Sequence, residues 1–291
     1  MTRYRMEKLL PTLHAVEEVV PGMPFPIRMH LVIGSRRAAL VDTGLGTGNL
    51  RAVVEAVTRL PVVVLHTHGH GDHVGADALF DNHFLHPSEQ SGIDGGYAFG
   101  KTAASRLAFL SSLLPEDPAA VAEIAGTLVE GRAVRYRHLR DGDRIDLGGV
   151  VLDAVHIPGH TPGSVAFVDR RNGQAFTGDG IADIHWFDGT NASTVSAFRR
   201  TLDRFLARAE GVVACHAAHM PAPFDLGLVR QLRRAAMDVL EGSDDPVELA
   251  DYGFLKHGHL FAHRAGGATL YYDRDHVHDH ACTGRTFCTK A

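Results

Sequence analysis

Residues 68–73 read His68-Gly69-His70-Gly71-Asp72-His73, three imidazoles and one carboxylate within six positions. Alternate residues of an extended or turning segment face the same way, so His68 and His70 can grip one cation. Asp72 and His73, past the turn, can grip another. First-row metals, zinc foremost, favour such nitrogen and oxygen donors. One short loop leaves each cation short of ligands. Later candidates are His160, Asp179 and His216, each at the end of an expected strand. A carboxylate such as Asp179 can bridge two cations, giving metals about 3.5–4 Å apart that share a hydroxide. Without a metal, four polar groups at the end of a buried strand would carry a desolvation cost.

Most of the other histidines have ordinary readings. His83, His86, His138, His156, His257, His259 and His263 are expected at surfaces or in hydrogen bonds, and His66 completes the strand before the cluster. Asp42 is expected to orient a ligand imidazole from behind. Cys215 reads as a small buried thiol. Asp183, His185 and Trp186 follow Asp179 closely enough to lie near the site, with His185 the most ordinary of the three.

The elements that must position these residues can be read from periodicity. Leu31-Val32-Ile33, a Gly34-Ser35 turn and Ala38 to Val41 form a β-hairpin that ends in Asp42-Thr43-Gly44. Leu50, Val53, Val54, Val57 and Leu60 have helical spacing. The all-apolar run Val62 to Leu65 is a buried strand that delivers the chain into the histidine cluster. Residues 92–135 read as a helical insertion between two β-rich halves, with Leu107, Leu110 and Leu114 in one helix and Ala119 to Glu130 in another. The second half repeats the pattern of strand followed by polar loop. Its loops carry Pro158-Gly159-His160, Gly178-Asp179 and Cys215-His216, the last after a short strand Val212-Val213-Ala214. Val195, Phe198, Leu202 and Phe205 mark an amphipathic helix, and Leu226–Leu240 another. Polar loops gathered at one edge of such strands are where ligands bind in layered α/β domains. The chain is expected to be one domain over residues 1–272, with a flexible His-rich tail at 273–291.

Composition narrows the class. With 45% apolar and 22% charged residues, 291 residues can bury a core. A net charge of −5 without a basic cluster argues against nucleic acid. No apolar run is long enough for a membrane helix, and residues 1–8 do not lead into a secretory signal. Three cysteines form no disulfide framework, so a reducing, cytoplasmic setting is expected.

Thr67-His68-Gly69-His70-Gly71-Asp72-His73 resembles the signature of metallo-β-lactamase-fold hydrolases. The likeness continues in order through Val41-Asp42-Thr43-Gly44, Pro158 to Ser164, Thr177-Gly178-Asp179 and Val213-Ala214-Cys215-His216, about residues 30–220. The resemblance implies a four-layer αββα sandwich with metals at one edge. It implies a first site of His68, His70 and His160. It implies a second site of Asp72, His73 and His216, with Asp179 bridging. One departure falls at the last ligand: family members carry Gly before that histidine, whereas here Cys215 precedes His216 and His219 follows three residues later. His216 is the expected ligand and His219 the alternative.

The full His-x-His-x-Asp-His set is similar to thioesterases of the glyoxalase II kind and to lactonases. The expected function is therefore a dinuclear metal-dependent hydrolase of a small-molecule ester, thioester or lactone, using a metal-bridging hydroxide. Two divalent metals are implied, zinc ahead of iron or manganese. Asp72 and Asp179 would position the metals and help move the proton. An iron-dependent persulfide dioxygenase and an RNA- or phosphodiester-cleaving member of the same fold are the alternatives. Substrate choice is expected from the proline-stiffened loop at Pro21 to Pro26 and from Tyr97, Phe99 and Phe109 of the insertion.

Overall fold

A computed structural model describes residues 3–97, 100, 102–187, 193–249 and 260–279. The first sheet has seven strands in chain order: β1 (Tyr4–Leu10), β2 (Leu13–Glu18), β3 (Ile27–Ile33), β4 (Ala38–Val41), β5 (Val62–Leu65), β6 (His83–Leu85) and β7 (Tyr136–His138). Strands β1 to β4 are antiparallel meanders, and β4 to β7 run parallel. The second sheet comprises β8 (Arg144–Asp146), β9 (Val151–His156), β10 (Val165–Asp169), β11 (Gln174–Gly178) and β13 (Ala214–Ala217), in the order β13-β11-β10-β9-β8. Strands β9, β11 and β13 share one direction because β10 is antiparallel to β9 and β11, while β11 and β13 pair in parallel.

Side-chain alternation sorts these strands into layers. Val63 and Leu65 of β5 face a core shared with Leu152, Val165 and Phe167 of the second sheet. Val64, between them, faces Leu50 and Val54 of α1 (Leu50–Glu55). Ala166 and Val168 of β10 turn the other way, onto α4 (Val195–Arg208) and α5 (Leu226–Glu241). The result is helix, sheet, sheet, helix, as expected for an αββα sandwich. The apolar stripe of α4, Val195, Phe198, Leu202 and Phe205, is fully buried, and Thr194 caps its start by accepting from the Ala197 N–H at 3.0 Å. Helix α5 starts on an Asp225 cap and stops at Gly242, whose φ of +65° suits glycine.

The structure differs from the sequence reading in three places. The insertion does not separate the two sheets. Its helices α2 (Ala103–Leu113) and α3 (Pro118–Ala125) form the crossover between the parallel strands β6 and β7 of the first sheet, because a parallel pair needs a long connection. Arg106, fully buried on the inner stripe of α2, ties this crossover down by donating to the carbonyls of Leu45, Gly75 and Val129. Second, the C-terminal part builds a further sheet: β12 (Ile184–His185), β14 (Val247–Glu248), β15 (Leu260–Ala265) and β16 (Ala268–Asp273), ordered β12-β16-β15-β14. Third, the start of the expected tail is docked. The Ser196 N–H donates to the Val277 carbonyl at 3.0 Å, and Arg200 pairs with Asp279 at 2.7 Å. Residues 280–291, like Phe99, His257 and His259, lie outside the described residues. Among the described residues no helix is long and apolar enough to cross a membrane.

Candidate metal centre

Strands β4 and β5 end side by side, Val41 opposite Leu65, so Asp42 lies beside the start of the histidine loop. Asp42 has φ +62°, a conformation that Asp tolerates better than most residues. Its Oδ1 accepts from the Thr67 N–H at 2.8 Å, and its Oδ2 accepts from Thr67 Oγ1 at 2.7 Å and His73 Nδ1 at 2.9 Å. One carboxylate thus pins both ends of the loop. It also fixes the His73 tautomer, aiming Nε2 into the site. Gly178, just before Asp179, approaches Thr67 so closely that a Cβ would sit 2.3 Å from Thr67 Oγ1. No other residue fits there, and its φ of +53° also suits glycine.

Three imidazole nitrogens converge first. His70 Nδ1 lies 3.0 Å from His68 Nε2 and 3.1 Å from His160 Nε2. His160 donates from Nδ1 to the Trp186 carbonyl at 3.1 Å, which frees Nε2 for the cluster. Protons can bridge such nitrogens only in pairs, whereas one cation satisfies all three. Asp72, His73 and His219 form the second group. His219 Nε2 lies 3.2 Å from Asp72 Oδ2 and 3.3 Å from Asp179 Oδ2. Asp179 stands between the groups, with Oδ2 3.7 Å from His160 Nε2 and Oδ1 3.5 Å from His73 Nε2. His73 Nε2 and Asp179 Oδ1 are both buried without a hydrogen-bond partner. Orphaned donor atoms of this kind, amid nitrogen and oxygen ligands, fit divalent metals.

The electrostatics show how much charge is concentrated here. Burial depresses the His219 pKa, but the Asp179 and Asp72 carboxylates outweigh burial and push it up to about 10. Burial and then Asp179, Asp72 and Asp42 act in the same opposed way on His73, with the carboxylates prevailing. His68, surrounded by imidazoles instead, is held well below the usual range by burial and by His73, His70 and His160.

His216 is not part of this constellation. The strand expected over Val212-Val213-Ala214 forms instead as β13 from Ala214 to Ala217, so His216 lies within it. Cys215 faces the helical core and His216 faces the inter-sheet layer. There it stacks on Phe176 at 5.4 Å and bonds Gln174 Oε1 through Nε2 at 2.8 Å. Burial pulls its pKa down to about 4. The first histidine past the strand is His219, steadied by Pro26, whose carbonyl is 2.9 Å from Nδ1, and by the edge of Phe25. Burial pushes the Cys215 thiol up to about 12, in keeping with a packing role.

Sequence reasoning missed two supports. Glu89, wholly buried, accepts from the Gly69 N–H at 2.8 Å, from the Gly163 N–H at 2.6 Å and from the Tyr97 hydroxyl. It therefore clamps the loop of His68 and His70 to the loop of His160. No local pattern announces it. Arg106 did leave a signal, an arginine between Ala103 and Leu110 on the apolar side of its helix. Behind the site lies another buried group. His66 Nε2 is 3.3 Å from His83 Nδ1 and 3.4 Å from Asp77 Oδ1, and His83 Nε2 donates to the Phe80 carbonyl at 3.0 Å.

The metal centre floors a cavity of about 440 Å³. Phe25 of the proline-rich loop and Phe109 of the insertion line it, as do Asp183 and Trp186. His185 turns away and stacks on Phe198 at 3.6 Å.

The sequence pattern of the metallo-beta-lactamase superfamily matches residues 22–191, and the chain belongs to that superfamily. The human acyl-coenzyme A thioesterase MBLAC2 is 29% identical over 197 residues, covering 60% of this chain and 66% of that protein, just under two thirds of its length. The hydroxyacylglutathione hydrolase GloC of Haemophilus influenzae is 28% identical over 196 residues, 64% of this chain and 83% of that one. The crystal structure of a metallo-beta-lactamase family protein from Thermus thermophilus superposes with a TM-score of 0.57 at 26% identity, covering 82% of this chain and 85% of the other.

Proposed function

We propose that this chain is a dinuclear metal-dependent hydrolase of small-molecule esters, thioesters or lactones. The observation that carries the reading is the position of Asp179, within 3.7 Å of both His160 and His73 and so between two sets of nitrogen and oxygen donors. His68, His70 and His160 would hold one divalent cation and Asp72, His73 and His219 the other, with Asp179 shared and zinc the best match to the donors. Bound there, the cations supply a Lewis acid for a carbonyl oxygen and an activated water at neutral pH. The chain's own residues do the rest. Asp42 and Glu89 hold the ligand loops in place, and Asp72 and Asp179, acceptors on the cavity floor, can receive the proton of the attacking water. The acyl-coenzyme A thioesterase and the hydroxyacylglutathione hydrolase named among the relatives support acyl transfer to water.

The proposal includes a single domain that extends past the expected end at residue 272 to take in the docked residues 273–279, and a reducing, cytoplasmic setting in keeping with three cysteines. Metal content combined with a panel of esters, thioesters, lactones, phosphodiesters and β-lactams tests it. Two zinc per chain with turnover of an acyl substrate is expected. One iron per chain with oxygen consumption on a persulfide would replace this reading with a dioxygenase.

A further inference from the structure

The walls of the cavity above the metal centre have a chemistry of their own. Phe25 comes from the loop after β2, Phe109 and Leu113 from α2, Ile184 from β12, Trp186 from the segment after it and Tyr271 from β16. Two of these sources, the crossover helix and the C-terminal sheet, are separate in sequence and both reach this cavity. On the described lining His70, Asp72, Asp179 and His219 belong to the metal centre on the floor, while the walls above it carry Asp183 and no Lys or Arg. A volume of about 440 Å³ lies within the range of small-molecule sites, about 300–1,000 Å³. A carboxylate or phosphate held against these walls, away from the metal centre, would lose its hydration with no Lys or Arg to pair with and Asp183 nearby. An uncharged apolar group would gain contact with aromatic and aliphatic walls.

We propose that this cavity is an acyl subsite selective for uncharged, apolar acyl groups, so that the preferred substrate is a neutral hydrophobic acyl ester, thioester or lactone rather than one with an anionic acyl part. This rests on the hydrolase reading above, and the test separates the two. In the metal-loaded protein, kcat/KM is measured on esters of one alcohol with acyl chains of increasing length and on matched esters whose acyl chain ends in a carboxylate. Binding of neutral methyl alkyl ketones is followed in parallel by the fluorescence of Trp186, the one tryptophan of the chain. Each added methylene should raise kcat/KM and tighten ketone binding about three- to fourfold until the cavity is full. The terminal carboxylate should cut kcat/KM at least a hundredfold. Leu113→Lys should narrow that gap at least tenfold by placing a cation on the wall. Ketone binding that tightens with chain length in a protein that cleaves no acyl substrate keeps the subsite and removes the hydrolase reading. Hydrolysis and ketone binding indifferent to chain length, or equal turnover of the carboxylated esters, overturns the subsite.

Discussion

His219 Nε2 lies 3.3 Å from Asp179 Oδ2, which joins the loop after β13 to the loop after β11 across the metal centre. That contact puts His219, and not His216, among the donors, so on the proposed reading His219 is the last ligand. Losing a direct ligand should cost more than the about 10–100-fold typical of an outer partner. His219→Ala should therefore remove one of two metals at ordinary metal concentrations. His216→Ala should keep both metals and instead lower stability by about 1–3 kcal/mol, because the Gln174 carbonyl is left buried and unpaired. Metal analysis beside thermal unfolding distinguishes the two, and the reverse pattern would return His216 to the site.

Asp179 serves both donor groups. Asp179→Ala should leave at most one metal per chain, and Asp179→Asn should weaken the second metal without unfolding the apo-protein. Two metals retained in Asp179→Ala, measured after dialysis, would show that the bridging assignment is wrong.

Glu89 holds the backbone of two ligand loops at once. A glutamine keeps one acceptor oxygen but turns an N–H group toward a glycine N–H. Glu89→Gln should thus lower affinity for the first metal about 10–100-fold, with a smaller effect on the second, as titrated with zinc against a chromogenic chelator. Equal weakening of both metals would mean that the clamp is a general stability element.

The buried Asp77 carboxyl gives a pH signature. Burial raises its pKa from 3.8 to about 6, against hydrogen bonds from Thr43 and Tyr136 at 2.7 Å each. The folded state therefore holds this proton more tightly than the unfolded chain. Below about pH 4 the group is neutral in both states and costs nothing. As pH rises through the folded value near 6, its ionisation penalty appears in full, on the order of 3 kcal/mol. Asp77→Asn should escape that penalty. The stability difference between variant and wild type, from denaturant unfolding at several pH values, should move in favour of the variant between about pH 4 and 6. A pH-independent difference would rule out the shifted carboxyl.

The sequence alone determined the part of the site that is local. His68, His70, Asp72 and His73 lie in one loop after one apolar strand, so their spacing already brings four donors together. The layers were legible for the same reason: alternation in β5 and the helical stripe of α4 are short-range patterns. Tertiary structure decided what depends on register and on distant contacts. Whether this strand ends at Ala214 or begins there and ends at Ala217 is settled by its pairing with β11, and that shift exchanges His216 for His219. The place of the insertion followed from β7 pairing with β6, which no local pattern encodes. Glu89 and Arg106 act through backbone groups many residues away, and Tyr271 reaches the cavity from a sheet assembled across the chain. A backbone N–H or carbonyl looks the same at every position in a sequence. Only folding selects which of them a buried charge will meet.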